Sequence, residues 1–395
     1  MRMRPKLLLL AVACAGLLAL SACGSNNNNA KSANNTATVA SAAATRPATV
    51  AATPASTATT AAATTPTALA AGSPAAAATI PPPPAKPETV HVDHVPLLNF
   101  AALYVAIDRG YFKDEGIDID LQRVTSGTDA MPFLASGQVD VGAIGLAAAI
   151  FNSVHRGFDV KIVASAALYP QKDVPTVLLV RKALVDSGQV KTVADLKGRK
   201  VGVAGGAGST GAYLLVKALQ TGGLKYTDVN AQNLANPDMV QALANGAIDA
   251  ALIGSPYSEQ AVQTGSAVVL AKDFAPGAAG TAYVFSGKFL REHPDTALRF
   301  MAALLRGARA LQGTDYLSPE NLATYVKFTG STEAAIKAAP PLVYDPNLAI
   351  ATDSIADQEK VDRENGWTDY TDPLDISKLI DPTLQQKVVA ALGKR

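Results

Sequence analysis

Leu134–Gly145 reads LASGQVDVGAIG, and Leu243–Gly254 reads LANGAIDAALIG. One register pairs Leu134 with Leu243, Gly137 with Gly246, Asp140 with Asp249 and Ile144 with Ile253. Each copy is the tail of a helical apolar pattern, then a glycine, then a short apolar run ending in Ile-Gly. Glycine just past such a pattern ends a helix, because it accepts a left-handed backbone that any Cβ penalises. The apolar run that follows suits a strand buried on both faces of a parallel sheet. Two such units in one chain predict two α/β lobes facing each other.

The flanking segments extend the repeat. Ahead of the first copy, TVHVDHV alternates as a strand, Phe100 to Asp108 has helical apolar spacing with Asn99 as its expected N-cap, and IDIDLQRV reads as a second strand. Ahead of the second, KVGVA (200–204) is a strand, Gly205–Gly211 a glycine-rich turn, AYLLVKAL a helix, and Asp228 to Leu234 a strand and turn. Each lobe is therefore expected to run β-α-β-α-β with parallel strands and right-handed crossovers, Asn99 and Ser209 taking equivalent helix starts. TVLLV (176–180) and TAYVF (281–285) suit two strands crossing between the lobes, a two-stranded hinge. The expected divisions are 88–180 for the first lobe, 181–280 for the second, and 281–395 for a helical return to the first.

The N-terminal residues are of another kind. Residues 1–22 carry Arg2, Arg4 and Lys6, then an apolar run to Leu20 and small residues, the pattern of a secretory signal and too short for a membrane span. Residues 23–87 are Asn, Ala, Thr and Pro with hardly a charge and no aromatic side chain. Such a stretch buries too little apolar surface to offset its ordering entropy and reads as a tether, with an end-to-end distance of about 45 Å. The chain's two cysteines, Cys14 and Cys23, both precede the predicted body, so no disulfide can staple it. The formal charge is +1, and removing Arg2, Arg4 and Lys6 leaves −2. Without basic clusters, there is no electrostatic footprint for nucleic acid.

Two resemblances follow from these residues. Leu20-Ser21-Ala22-Cys23 resembles a bacterial lipoprotein lipobox, which implies cleavage before Cys23 and a lipid on its sulfur, anchoring an exported protein to the cell envelope. That envelope position is the outer face of the cytoplasmic membrane or the periplasm. The stretches ALYVAIDRGYFKDEGIDIDL, FLASGQVDVGAIG, RGFDVKIVAS, VADLKGRKVGV, GSTGAYLLVKAL and ALANGAIDAALIG resemble the substrate-binding proteins of ABC importers for sulfonates, taurine, nitrate and thiamine pyrimidine precursors. The resemblance implies a type II periplasmic-binding-protein fold, no catalysis and no cofactor. It also implies a monomer that delivers a small molecule to a permease and its ATPase. A ligand-sensing lipoprotein that signals to a receptor is an alternative. So is an enzyme on the same fold, although the cysteine-rich iron motif of the pyrimidine synthases that share it is absent here.

In open α/β sheets, ligands lie beyond the carboxyl ends of the strands. Those ends bring forward His94 and Asn99, Ser126-Gly127-Thr128-Asp129, Gly145 and Leu146, Gly208-Ser209-Thr210-Gly211, and Ser255 and Tyr257. Helix N-termini there favour an anionic group held without a counter-charge. The Gly208–Gly211 turn either approaches a ligand with its backbone and hydroxyls or merely caps its helix; no Gly-Lys-Ser/Thr makes it a nucleotide loop. Tyr257 and Tyr283 either stack on a flat ligand, donate a hydroxyl to it, or pack. Phe100 and Tyr104 are expected in the core, and Trp367 lies in a polar stretch. His91 and His94 fall on opposite faces of their strand, so no metal-ligand spacing appears and no metal is expected. No arginine or lysine lies in these loops, and Asp129 is their only acidic residue.

Overall fold

The computed structural model describes residues 79–395. The predicted signal, Cys23 and most of the predicted tether lie outside the described residues. The first lobe runs β1 (Glu88–His94), α1 (Ala101–Asp108), α2 (Tyr111–Asp114), β2 (Ile117–Arg123), α3 (Gly127–Ser136), β3 (Val141–Gly145), α4 (Ala148–His155) and β4 (Val160–Ser165). The second runs β5 (Thr176–Arg181), α5 (Lys182–Asp186), β6 (Lys200–Val203), α6 (Thr210–Gln220), β7 (Asn230–Asn233), α7 (Asn236–Asn245), β8 (Ala250–Gly254), α8 (Tyr257–Gln263) and β9 (Ala267–Ala271). After them come β10 (Thr281–Ser286), α9 (Gly287–Glu292), α10 (Pro294–Arg309), α11 (Pro319–Thr329), α12 (Glu333–Ala338), α13 (Thr352–Glu364) and α14 (Thr383–Leu392).

The two sheets have one plan, β2-β1-β3-β10-β4 and β7-β6-β8-β5-β9. Within each, the three strands of the repeat are parallel and the crossing strand is antiparallel. The repeated residues act alike. Gly137 and Gly246 end α3 and α7 with φ of 68° and 77°. Asp140 Oδ2 accepts from His91 N (2.9 Å), and Asp249 Oδ2 accepts from Lys200 N (3.1 Å), so each repeated aspartate ties its strand to the neighbouring one.

Three expectations are corrected. Thr176–Arg181, placed in the first lobe, pairs with β8 and β9 of the second sheet, so the chain crosses between Ser165 and Thr176 rather than at 180. Its counterpart β10 enters the first sheet. Edge strands β4 and β9, not anticipated as strands, complete the two sheets. The tether was expected to reach Pro87, but Ile80 packs on the core and Arg299 Nη1 donates to Pro82 O at 3.4 Å. Those proline-rich residues therefore belong to the body.

Phe100 and Tyr104 are fully buried. In the tail, α10 packs along α1, and Ile162 N donates to Leu379 O (2.8 Å). The tail also reaches the second lobe through α13, where Asp357 accepts from Tyr213 Oη (2.6 Å) and pairs with Lys217 (2.8 Å). No helix among the described residues is long and apolar enough to cross a membrane.

Candidate ligand-binding site

The carboxyl ends of both sheets meet, and the loops beyond them touch. Ala147 and Ser209 form a β-bridge, Ala148 N donates to Gly208 O (2.6 Å), and Thr210 Oγ1 donates to Leu146 O and to Gly280 O (3.1 Å). Glycine permits the approach: a Cβ on Gly145 would run into Thr210 Oγ1, and one on Gly205 into Ser126. The lobes thus stand closed over a chamber of about 70 Å3.

Of the predicted residues, the structure brings Asn99, Ser126, Gly127, Gly145, Ser209, Thr210 and Gly211 to this chamber. Asn99 is not the N-cap of its helix. It lies inside a 3-10 turn, Leu98–Phe100, whose preceding residue Leu97 offers no side-chain cap. Its amide is left to face the cleft, and Nδ2 has no partner. Ser209 is the N-cap of α6: Oγ accepts from Ala212 N (3.1 Å) and donates to Ala204 O or Gly206 O (2.7 Å each), so its hydroxyl is consumed by the turn. Ser126 Oγ donates to Asp129 Oδ2 at 3.2 Å and leaves the first turn of α3 without a side-chain cap.

Thr176 and Thr281, the first residues of β5 and β10, also line the chamber, as do Tyr169 and Asn236. Sequence reading took the two threonines only as strand residues, although each opens its crossing strand at the same place. Thr281 Oγ1 is buried without a partner, whereas Thr176 Oγ1 is 2.9 Å from Tyr169 Oη. Burial pushes the Tyr169 phenol up to about 12, so it stays neutral. No charged side chain lines the chamber, and its other walls are apolar, among them Val95, Leu97, Leu214 and Leu252.

The remaining predicted residues stand elsewhere. His94 is buried behind the loop, its Nδ1 2.9 Å from Tyr104 Oη, and burial, with Arg123 nearby, lowers its pKa to about 4. Tyr283 is fully buried in the first lobe, edge-on to Phe100 at 6.0 Å, and burial raises its pKa. Gly208 and Leu146 take part in interlobe contacts, Leu146 O also accepting from Gln358 Nε2 (2.8 Å). Thr128 lies outside the chamber wall, its Oγ1 buried without a partner. Ser255 Oγ is taken by Glu259 (2.7 Å) and Pro175 O (3.1 Å). Trp367 packs edge-on to Tyr226 at 4.9 Å, away from the chamber.

Tyr257 and Asp129 line a second, outer compartment of about 450 Å3, which shares Val95, Leu97, Thr125 and Asn236 with the chamber. Tyr257 Oη donates to Thr329 O at 2.6 Å, so only its ring is free to face a ligand. Arg123, the last residue of β2, lines the same compartment, which corrects the expectation of a cleft without basic residues. The expected strand IDIDLQRV runs through Arg123 to Val124 without showing which way the arginine turns.

Residues 98–314, more than half of the chain, match the family model described as NMT1/THI5 like. A protein of Escherichia coli (strain K12) that bears the name aliphatic sulfonates-binding protein is 34% identical over 145 residues, 37% of this chain and 42% of that one, so the match spans less than half of that relative. The taurine-binding periplasmic protein of the same organism is 24% identical over 58% of this chain and 69% of its own. A 4-amino-5-hydroxymethyl-2-methylpyrimidine phosphate synthase of Aspergillus parasiticus is 26% identical over 58% of this chain and 66% of its own. Among solved structures, the ligand-binding component of an ABC-type import system from Staphylococcus aureus has a TM-score of 0.64 at 15% identity, covering 76% of this chain and 99% of that one. The alkanesulfonate-binding protein of Xanthomonas axonopodis pv. citri has a TM-score of 0.57 at 20% identity, covering 71% and 92%. The solved structures share the fold, a type II periplasmic-binding-protein architecture, and with the family match the chain belongs to the NMT1/THI5-like family.

Proposed function

We propose that this chain is the substrate-binding component of an ABC importer. It is an exported, monomeric lipoprotein, anchored through Cys23, that closes on a small polar or anionic molecule and delivers it to a permease and its ATPase. The observation that carries this reading is the interlobe chamber with Asn99 Nδ2 and Thr281 Oγ1 buried and unpaired on its wall. Each unpaired group costs about 1–3 kcal/mol of desolvation, which a ligand oxygen or nitrogen would recover.

Two helix starts add to the pull on a negative group. The first turn of α3 carries no side-chain cap, and Thr210 and Gly211 open α6 on the opposite lobe. Their N–H groups present partial positive charge from both sides. A ligand touching both would favour the closed arrangement in which Thr210 bonds Leu146 O and Gly280 O. Closure is then driven by differential contact with the closed state.

The reading is non-catalytic, although some relatives are named as synthases. No Cys, His, Lys, Asp or Glu lines the chamber; Asp129, which accepts from the chamber hydroxyl Ser126 Oγ at 3.2 Å, lines the outer compartment instead. A thermal-shift screen against sulfonates, taurine, nitrate, bicarbonate and thiamine pyrimidine precursors tests the proposal. One class should raise the melting temperature, with about 2.7 kcal/mol gained at a hundredfold excess over Kd, and be recovered unchanged. No shift with any class, or recovery of a converted product, would count against it.

A further inference from the structure

A cavity of about 310 Å3 lies outside the cleft, among α8, β5 and β9 of the second lobe, and shares no lining residue with either cleft compartment. It sits beside both segments that link the lobes, touching Val174 on one and Lys272 on the other, and Pro340 of the tail closes one side. Its wall is mostly apolar. Val174 and Val177 are buried, whereas Val262 and Val269 are 41% and 47% exposed and leave apolar surface open to water. Glu259 stands on this wall, one turn before Val262 on α8. Ser255 Oγ donates to its Oε1 (2.7 Å) and Ser258 Oγ to its Oε2 (2.8 Å), which fixes the carboxylate and leaves each oxygen able to accept again. No Lys, Arg or His lies within ion-pair distance of it among the described residues, and burial raises its pKa against the two serine hydrogen bonds. Lys272, the basic residue of the wall, is held by Asp173 at 2.6 Å. Glu259 and Asp173 against Lys272 leave the cavity one charge negative.

We propose that this cavity is a second ligand site, which takes a primary alkylammonium ion with its charge on Glu259 and its chain over Val262 and Val269. The site is independent of the cleft and of the reading given to it above. An ammonium group has three donors and no acceptor, which suits a carboxylate with a lone pair left on each oxygen. Left alone, the partly buried charge of Glu259 carries a desolvation cost that an incoming cation offsets. The valines favour an organic cation over a bare metal ion. Calcium or magnesium needs about six oxygens, and Glu259 is the one carboxylate of the wall not already paired.

The test is calorimetric titration of the full chain with n-alkylammonium ions from methyl to hexyl, with n-butanol and n-butyrate as neutral and anionic controls. The wild type should bind the amines with affinity rising about three- to fourfold per methylene until the valines are covered. Butanol should bind more weakly than butylammonium by about tenfold or more, and butyrate should give no heat. Glu259→Gln should weaken butylammonium binding by about tenfold or more and leave butanol binding unchanged. Val262→Lys brings an ammonium three residues along the same helix, within reach of Glu259, and should exclude butylammonium without lowering Tm. Because Val262 is exposed, this second variant decides the matter even where Glu259→Gln melts low. Absence of amine binding in the wild type, or undiminished amine binding in both variants, would overturn the site. An amine that is lost with Asp129→Asn and kept with Glu259→Gln sits in the cleft instead, which overturns it equally. Butanol or butyrate binding as tightly as butylammonium would overturn the ligand class.

Discussion

Thr281→Val separates a ligand-facing hydroxyl from a structural one, because the two roles predict opposite signs. Thr281 is 4% exposed, opens β10, and carries a hydroxyl with no partner on the chamber wall. Its backbone carbonyl accepts from Ala166 N (3.1 Å), a contact that valine keeps. Valine has nearly the same shape and favours a strand. Removing an unsatisfied buried hydroxyl relieves part of a penalty of about 1–3 kcal/mol, so the ligand-free protein should gain about 1 kcal/mol. For a body of this size that is roughly 2 °C in Tm. Ligand affinity should fall roughly two- to tenfold, the worth of one net hydrogen bond. Paired melts and titrations of wild type and variant give both numbers. A variant that melts lower without ligand and binds with full affinity would refute the argument, since the hydroxyl would then be serving the fold.

Three further outcomes are expected. Asp362 is fully buried with both carboxylate oxygens unpaired, and burial above all, with the Glu359 carboxylate adding to it, pushes its pKa up to about 9. Between about pH 4 and pH 9 the folded state holds a proton that the unfolded state has lost, so stability falls with rising pH by about 1.4 kcal/mol per unit. Asp362→Asn should remove that slope, and parallel Tm-versus-pH lines for parent and variant from pH 5 to 8 would contradict it. Ser209→Ala should cost about 1 kcal/mol of stability through the lost N-cap while leaving ligand affinity within twofold, because the hydroxyl is consumed by Ala212 N and the turn carbonyls. A large loss of affinity at unchanged Tm would show the opposite. Cys23→Ala should move the protein from the membrane to the soluble fraction, and unchanged fractionation would remove the proposed anchor.

The repeat made much of the fold legible, because its signals are local. The glycines that end α3 and α7, the aspartates tied to β1 and β6, and the loops beyond the strands all follow from residue type and spacing. What escaped depends on contacts between distant segments. Nothing local in TVLLV says that it joins the second sheet, since an apolar strand fits either one. Asn99 and Ser209 look equivalent as helix starts, yet one side chain caps its helix and the other is held over the chamber by a 3-10 turn. Arg123 ends a strand, and only the packing of α11 against it turns the guanidinium toward the cleft. His94 and Tyr283 sit near the right loops in sequence but turn into the first lobe, where aromatic neighbours take them.

The central claim is that the lobes close around a small molecule, and small-angle scattering tests it most directly. Without ligand the profile should be broader than that calculated for the closed body, in which Ala148 N meets Gly208 O and Asp357 meets Tyr213. Saturation with a molecule that raises Tm should contract it to the closed profile, as hinge closure requires. A profile that does not change although calorimetry shows the site filled would contradict the account.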